Sequence, residues 1–317
     1  MIVDVDLGIF YTSLVTVVLI ILVGLFVSKK GWVDGHANKT IINLLLNVAW
    51  PCALLLSFPS KYSQEHLENF LWGAGGGFLI LVTVILVSRL LFRKKRHPNN
   101  YFEYQFAFIF NNASFLGFPL VSTIYGQEGL VPYSGFIIVF NLALFGYGVA
   151  LFRDNYSIKE LAKTFLNPCV IAVLLGFLMF LSSFELPKFG ADTVRHIGAL
   201  MTPLSLICIG YMLSRAKLKQ IFRQKILVLT CLAQLILDPL ITFLVLKLIG
   251  APILVIQIIV LIQALPTATS LGLFAEKYRS KDKYGTSHAS ELVAVSTILS
   301  AVTLPVILWV MFNLLGL

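Results

Sequence analysis

Charge is what this chain has least of. Only 12% of its residues are Asp, Glu, Lys or Arg, against roughly 25% in a soluble globular domain. With 58% hydrophobic residues and a mean hydropathy of +0.89, a water-soluble fold is excluded, and an all-α polytopic membrane protein is the class that fits. Acid is scarcer than base, for a formal net charge of +9. That excess does not indicate nucleic acid, because the basic residues fall in short gaps between apolar runs. Cysteine is scarce as well. Cys52, Cys169, Cys208 and Cys231 all lie inside apolar stretches without C-x-x-C spacing, which reads as small packing residues. The histidines (His36, His66, His97, His196, His288) are scattered, so no metal and no other cofactor is expected. Neither a nucleophile elbow nor an H-E-x-x-H motif occurs, and no enzyme activity is expected. The first residues, MIVDVD, lack the positive n-region of a signal peptide, so the first apolar run is read as a retained span.

What is present is a series of long apolar runs. At about 20 residues per span, about ten helices are predicted, over 7–28, 38–58, 67–92, 102–124, 130–151, 164–184, 192–213, 226–249, 253–275 and 291–315. The connections are short, and no separate soluble domain is expected. The odd-numbered connections hold nearly all of the 24 Lys and Arg, including Lys29, Lys30 and Lys39 in the first and the RKKRH run at 93–97 in the third. Only Lys61, Lys188, Arg195 and Lys247 fall on the other side. The positive-inside rule then places both termini outside the cell membrane. An odd number of helices in each half makes 1–151 and 164–317 candidate inverted five-helix repeats joined by a cytoplasmic connection at 152–163.

Two predicted spans cannot be continuous. The stretch Phe106–Tyr125 carries Asn111, Asn112 and Ser114, then Gly117 and Pro119; the ninth span carries QALPTATS at 263–270. Polar, irregular backbone at mid-membrane depth survives only where it is covered by protein or lines a cavity. Interrupted spans at matching positions of two halves point to a midplane site. Half-helix N-termini favour anions. Asn111, Asn112, Ser114, Gln263, Thr267 and Thr269 are therefore the candidate substrate contacts, and Gly117, Pro119 and Pro266 the breaks. Pro51 and Pro203 are mid-span prolines of the second and seventh helices. The alternative for each proline is a kink sealed by neighbouring helices.

No Lys or Arg lies deep in a span; Arg89 and Lys247 can snorkel from their helix ends. Asp238, in QLILDPLITF, is the acid near the centre of a span, and such a residue is a functional candidate by default. It is either a coupling site for H+ or Na+, with Gln234 one turn earlier on its face, or a cap on a helix restarting at Pro239. The GAGGG run at 73–77 suits close helix packing. Asn43 and Asn47, one turn apart on the second helix, face either a cavity or a helix partner.

Asn112-Ala-Ser-Phe-Leu-Gly-Phe-Pro119 resembles the N-T-G-F-L-G-I-P signature of the auxin efflux carrier family, which includes bacterial malate and malonate permeases. The resemblance extends through Asn47-x-x-x-Pro51, Asn167-Pro168 with Gly176, Leu265-Pro-Thr-Ala-Thr269, Phe274-Ala-Glu-Lys-Tyr278, Glu291-Leu-Val, Ser296-Thr-Ile-Leu-Ser300 and Val302-Thr-Leu-Pro305. It implies two inverted five-helix repeats, a scaffold of helices 1, 2, 6 and 7, and a mobile domain with broken helices 4 and 9 that cross. It also implies that Asn112 meets the substrate carboxylate and that Pro119 and Pro266 mark the crossing. Ala113 and Ser114 replace the Thr-Gly of the signature. The L-P-T-A-T form and the absence of a long mid-chain loop favour a small organic acid over auxin. The expected function is secondary active transport of malate- or malonate-type carboxylates by alternating access. The alternatives are an efflux carrier for amino-acid-like or aromatic metabolites and, third, a channel or sensor. The expected partners are a small carboxylate, the lipid bilayer and a second copy of the chain as a homodimer; nucleic acid is not among them.

Overall fold

The computed structural model describes residues 7–59, 61–93, 101–152, 166–215, 224–279 and 285–314. The N-terminal MIVDVD, the basic residues 94–97 and almost all of the connection at 152–163 lie outside them. Among the described residues every regular element is a helix, and the β-type pairing is an isolated bridge. In chain order the helices are α1 (Leu7–Lys29), α2 (35–55), α3 (Gln64–Leu91), α4 (Tyr101–Ile109), α5 (Ala113–Phe152), α6 (Pro168–Ser182), α7 (Lys188–Ala199), α8 (Met201–Arg215), α9 (Lys225–Leu248), α10 (Ile253–Gln263), α11 (Ser270–Arg279) and α12 (Gly285–Leu314).

Five of the described helical stretches are long and apolar enough to cross a bilayer: Gln64–Leu91, Ala113–Phe152, Lys188–Ser214, Lys225–Leu248 and Glu291–Met311. Shorter apolar helices accompany them, among them Pro168–Ser182 and Ile253–Gln263. The fourth and ninth predicted spans fail the length criterion for a physical reason. Each is divided, so that α4 ends at Ile109 and α10 at Gln263. Both short helices are buried nearly all round: Phe102–Ile109, with Glu103 and Gln105 among them, and Val255–Gln263 are buried at every position, as a helix that is apolar nearly all round, such as α10, must be.

Prolines and glycines shape the remaining helices. In α2 a π-helical turn at Leu45–Ala49 comes just before Pro51, and in α5 another at Ala113–Gly117 comes just before Pro119. A proline lacks the N–H for the carbonyl four residues back and crowds it; the wider π turn accommodates both defects. The carbonyl of Phe115, to which Pro119 offers no N–H, accepts instead from Ser205 Oγ at 3.0 Å. The seventh predicted span, 192–213, lies within the helical stretch Lys188–Ser214, which carries a turn at Leu200. Pro203 consequently sits in the first turn of α8, where its missing N–H costs little. The stretch α5 is two helices that meet at a kink at Gly126, with φ 58° and ψ −146°, between the end at 124 and the start at 130 expected for the fourth and fifth spans. Added side-chain atoms would meet nothing there, so the demand for glycine is conformational.

The chain forms two compact units. The first comprises residues 1–74, 114–138 and 165–215, and the second 75–113, 139–164 and 216–317. Each draws on both sequence halves. In the first unit α1 crosses α8 at a pair of glycines: a Cβ on Gly24 would overlap the Ile207 backbone, and one on Gly210 would overlap that of Ile21 and Leu25. Ser28 and Ser214 hydroxyls, 2.6 Å apart, clasp the same pair. In the second unit α9 packs on α4, α10 and α12, and the two helix breaks meet inside it.

Candidate functional site

The site is built on the interruption between α4 and α5, residues 110–112, and the one between α10 and α11, residues 264–269. Both belong to the second unit. Each break strands backbone groups in an apolar surround, where an unpaired group costs about 1–3 kcal/mol on mutational scales. The structure solves this by pairing the breaks with each other. Asn111 and Thr267 form an antiparallel bridge; the Asn112 N–H donates to the Pro266 carbonyl at 2.6 Å, and the Ala268 N–H to the Phe110 carbonyl at 2.8 Å. Two strand-like segments a few residues long thus cross where helices were interrupted.

Side chains complete the crossing. The Asn111 amide donates to Gln263 Oε1, tying the first break to the last residue of α10. The backbone N–H of Thr267 donates to Ser296 Oγ of α12 at 3.1 Å. The Thr267 hydroxyl lies 2.9 Å from Gln234 Oε1 and 3.3 Å from the Ala107 carbonyl, and its one proton serves either. Gln234 Nε2 donates to the Leu265 carbonyl at 3.1 Å. Proline 266 is therefore held from both flanks by one glutamine of α9. Asn111, Asn112, Gln263 and Thr267 are all buried. Two of their polar atoms keep unused capacity among the described residues: Asn111 Oδ1 and the Gln263 amide nitrogen have no hydrogen-bond partner. Amide orientation is assigned from the network, and either way round an amide donor remains unspent at the crossing.

Thr269 lies at the end of its break beside Ser270, the first residue of α11, whose buried hydroxyl is also unpartnered among the described residues. Ser114, Gly117 and Pro119 lie in the first turns of α5 and belong to the other unit, as do Pro51 and Pro203. The sequence-derived set thus separates. Four residues meet at the crossing, and the others stand at helix starts or within helices. Ser296 enters the sequence reading only within the family-like stretch 296–300 and without a site role, because a small hydroxyl in an apolar helix looks like any other until its neighbour is known. Ser205 escaped it altogether, for the same reason.

Asp238 is fully buried in α9. That helix runs unbroken through Pro239, so the capping alternative lapses: there is no helix start at 238 to cap. Neither carboxylate oxygen has a hydrogen-bond partner among the described residues, and the hydroxyl of Thr242, one turn on, has none either. Gln234, Asp238 and Thr242 form one buried polar stripe at i, i+4 spacing. By contrast, a groove of about 360 Å³ between α9 and α12 is lined by Ile236, Leu240, Phe243, Val302 and Val306, among others, with Thr303 supplying a hydroxyl; it has no donor set for an anion.

Comparison with known proteins agrees with this architecture. The family described as membrane transport protein matches residues 9–158 and 155–308. A protein of Rhizobium meliloti named "Putative malonate transporter" is 24% identical over 296 residues, covering 89% of this chain and 88% of that one. An "Uncharacterized transporter" of Methanocaldococcus jannaschii is 25% identical over 214 residues, covering 64% of this chain and 68% of its own length. With matches over both halves and a pair of helix breaks bonded to each other, the chain belongs to the membrane transport protein family, the auxin efflux carrier family.

Proposed function

We propose that the protein is a secondary active transporter of small organic anions, of the malonate or malate type, that works by alternating access. The observation that carries the reading is the bonded crossing of the two breaks. Amide donors at Asn111, Asn112 and Gln263, the hydroxyls of Thr267 and Thr269, and the N-termini of the following half-helices suit a carboxylate. Ser114 adds a hydroxyl at the start of α5. No Lys or Arg occupies the crossing among the described residues, and an anion held by dipoles and amides alone is released readily. The relative named for malonate transport supports the dicarboxylate class. The finer architecture in this proposal is ten spans in two inverted five-helix repeats, 1–151 and 164–317, in the cell membrane with both termini outside, as a monomer or homodimer. Asp238 is proposed as the coupling site for H+ or Na+, because a buried carboxylate without a partner is costly unless an ion meets it.

The test is uptake of labelled malonate, malate and a panel of other organic acids into proteoliposomes, with and without proton and sodium gradients. Uptake of one or more dicarboxylates that saturates and follows an imposed gradient is the expected result. Conductance far above carrier turnover, or no uptake of any organic acid, would overturn the reading.

A further inference from the structure

Helices α4, α9 and α12 converge on the crossing: α4 leads into Asn111 and Asn112, α9 supplies Gln234, and α12 supplies Ser296. All three belong to the second unit, and α12 packs on both α4 and α9. About 10–15 Å back along these helices, at 1.5 Å per residue, a second polar layer ties them together. His288 Nε2 of α12 lies 2.9 Å from the Tyr104 hydroxyl of α4, and the two rings meet edge to face. Gln224, which immediately precedes α9, donates from Nε2 to Glu291 Oε2 of α12 at 2.8 Å. The same carboxylate oxygen stands 3.9 Å from His288 Nδ1. His288 and Tyr104 are both buried, and the Phe92 ring stacks on that of Tyr104.

A purely structural histidine needs partners for one protonation state, whereas His288 has them for both. A carboxylate only accepts, so Glu291 favours the proton on Nδ1, and the neutral Nε2 then accepts from the Tyr104 O–H. A hydroxyl can also accept. Once protonated, His288 donates from Nε2 to the Tyr104 oxygen and attracts Glu291 through its Nδ1–H. That attraction competes with Gln224 for one carboxylate oxygen. His288 stands at the start of α12, ahead of the membrane-spanning stretch Glu291–Met311. Burial holds its pKa below the ordinary imidazole value, and the Glu291 carboxylate partly offsets this. The other charges on these elements are Glu103, buried next to Tyr104 on α4, Arg93 next to Phe92, and Lys225 at the start of α9. Helix α11 also packs on α12; the side chains of its Glu276, Lys277 and Arg279 lie outside the described residues.

We propose that His288 is a proton-binding site of the second unit, and that its protonation draws Glu291 from Gln224 to itself and so loosens α9 from α12 beneath the crossing. This site is separate from Asp238, which lies further along α9. The proposal rests on the transport reading above for what the proton controls, but not for the proton site itself.

The experiment uses the full chain, with isotope-labelled histidine in detergent micelles and in liposomes for uptake. The His288 resonance, identified by its loss in His288→Gln, is followed by NMR from about pH 8 to about pH 4.5. Its midpoint is expected below the ordinary histidine value of about 6.5, and Glu291→Gln is expected to lower it by about half a unit or more. Uptake of malonate, or whichever dicarboxylate accumulates, is measured at equal pH on both sides, so that no proton gradient acts. Lowering the pH through the midpoint is expected to change the parent's uptake rate by about threefold or more, the effect of one net hydrogen bond, and to leave His288→Gln at its own starting rate. If His288→Gln does not fold, the histidine midpoint that Glu291→Gln moves, and a matching shift of the uptake profile, take its place. Absence of titration at His288, or a midpoint that Glu291→Gln leaves in place, overturns the proton site. An uptake profile that His288→Gln leaves unchanged overturns its control of transport and passes the pH response to another group, such as Glu103 or Asp238. Failure of the transport reading looks different: the titration and its response to Glu291→Gln persist while no organic acid is taken up.

Discussion

Replacing Gln234 by leucine tests whether the crossing is held as the structure describes. The substitution keeps the volume of a fully buried side chain and removes both of its hydrogen bonds. One of these, from Thr267 Oγ1 at 2.9 Å, has a substitute, because the Ala107 carbonyl lies 3.3 Å from the same hydroxyl. The other has none. The Leu265 carbonyl receives Gln234 Nε2, is followed by a proline without an N–H, and lies at a break where no next turn supplies a donor. Interhelical side-chain bonds in membrane proteins average only about 0.6 kcal/mol, but a buried carbonyl left unpaired costs about 1–3 kcal/mol. The second figure governs here. Gln234→Leu is therefore expected to lower stability in detergent by about 1–3 kcal/mol and to slow uptake, because the Leu265 flank of Pro266 loses its donor. Thr267→Val removes the other end of the shared bond. Unfolding midpoints of the two single variants and the double variant form a cycle, and the coupling should be about 0.5–1.5 kcal/mol. Effects that simply add, to within about 0.3–0.5 kcal/mol, would refute the bond. A stable, fully active Gln234→Leu protein would refute the account of the crossing.

Asn112→Ala should reduce dicarboxylate uptake by about tenfold or more, since a hydrogen bond to a charged group is worth about 1.5–3 kcal/mol, and Pro266→Ala should reduce it by loosening the crossing; unimpaired uptake in both variants would remove the crossing as the substrate site. For Asp238→Asn the expected result is transport that no longer responds to a proton or sodium gradient, and an unchanged pH and sodium profile would end its assignment as the coupling site. Gly210→Leu should prevent recovery of monodisperse protein, because its side chain would overlap the α1 backbone at Ile21, whereas Gly75→Ala, where an added Cβ meets nothing, should behave as the parent in size-exclusion chromatography and cost nothing at the helix centre beyond a gain from lower chain entropy.

Much of the fold was legible because the bilayer simplifies the code. A long apolar run with no charge has one stable form, a helix, and the boundaries expected for the third and eighth spans fall within a few residues of α3 and α9. The breaks were legible for a related reason. Asn111, Asn112 and Pro266 violate that code too strongly to be packing details. The seventh span, expected at 192–213, falls inside the helical stretch Lys188–Ser214, whose turn at Leu200 lies between Gly198 and Pro203. The start at Lys188 was missed because charged residues begin that helix outside the apolar run.

What the sequence by itself determined is the class of protein, the helical runs, their interruptions and the family, since each of these depends on hydrophobicity and on proline and asparagine within a few neighbouring residues. Only the tertiary structure decided that the interruptions bond to each other, through Asn111 and Thr267 and through the backbones at 112 with 266 and 268 with 110. It also decided that Gln234 and Ser296 secure them, and that Asp238 lies inside a continuous helix. The physical reason is that a stranded backbone group announces its need locally, while the partner that satisfies it comes from a segment more than a hundred residues away along the chain.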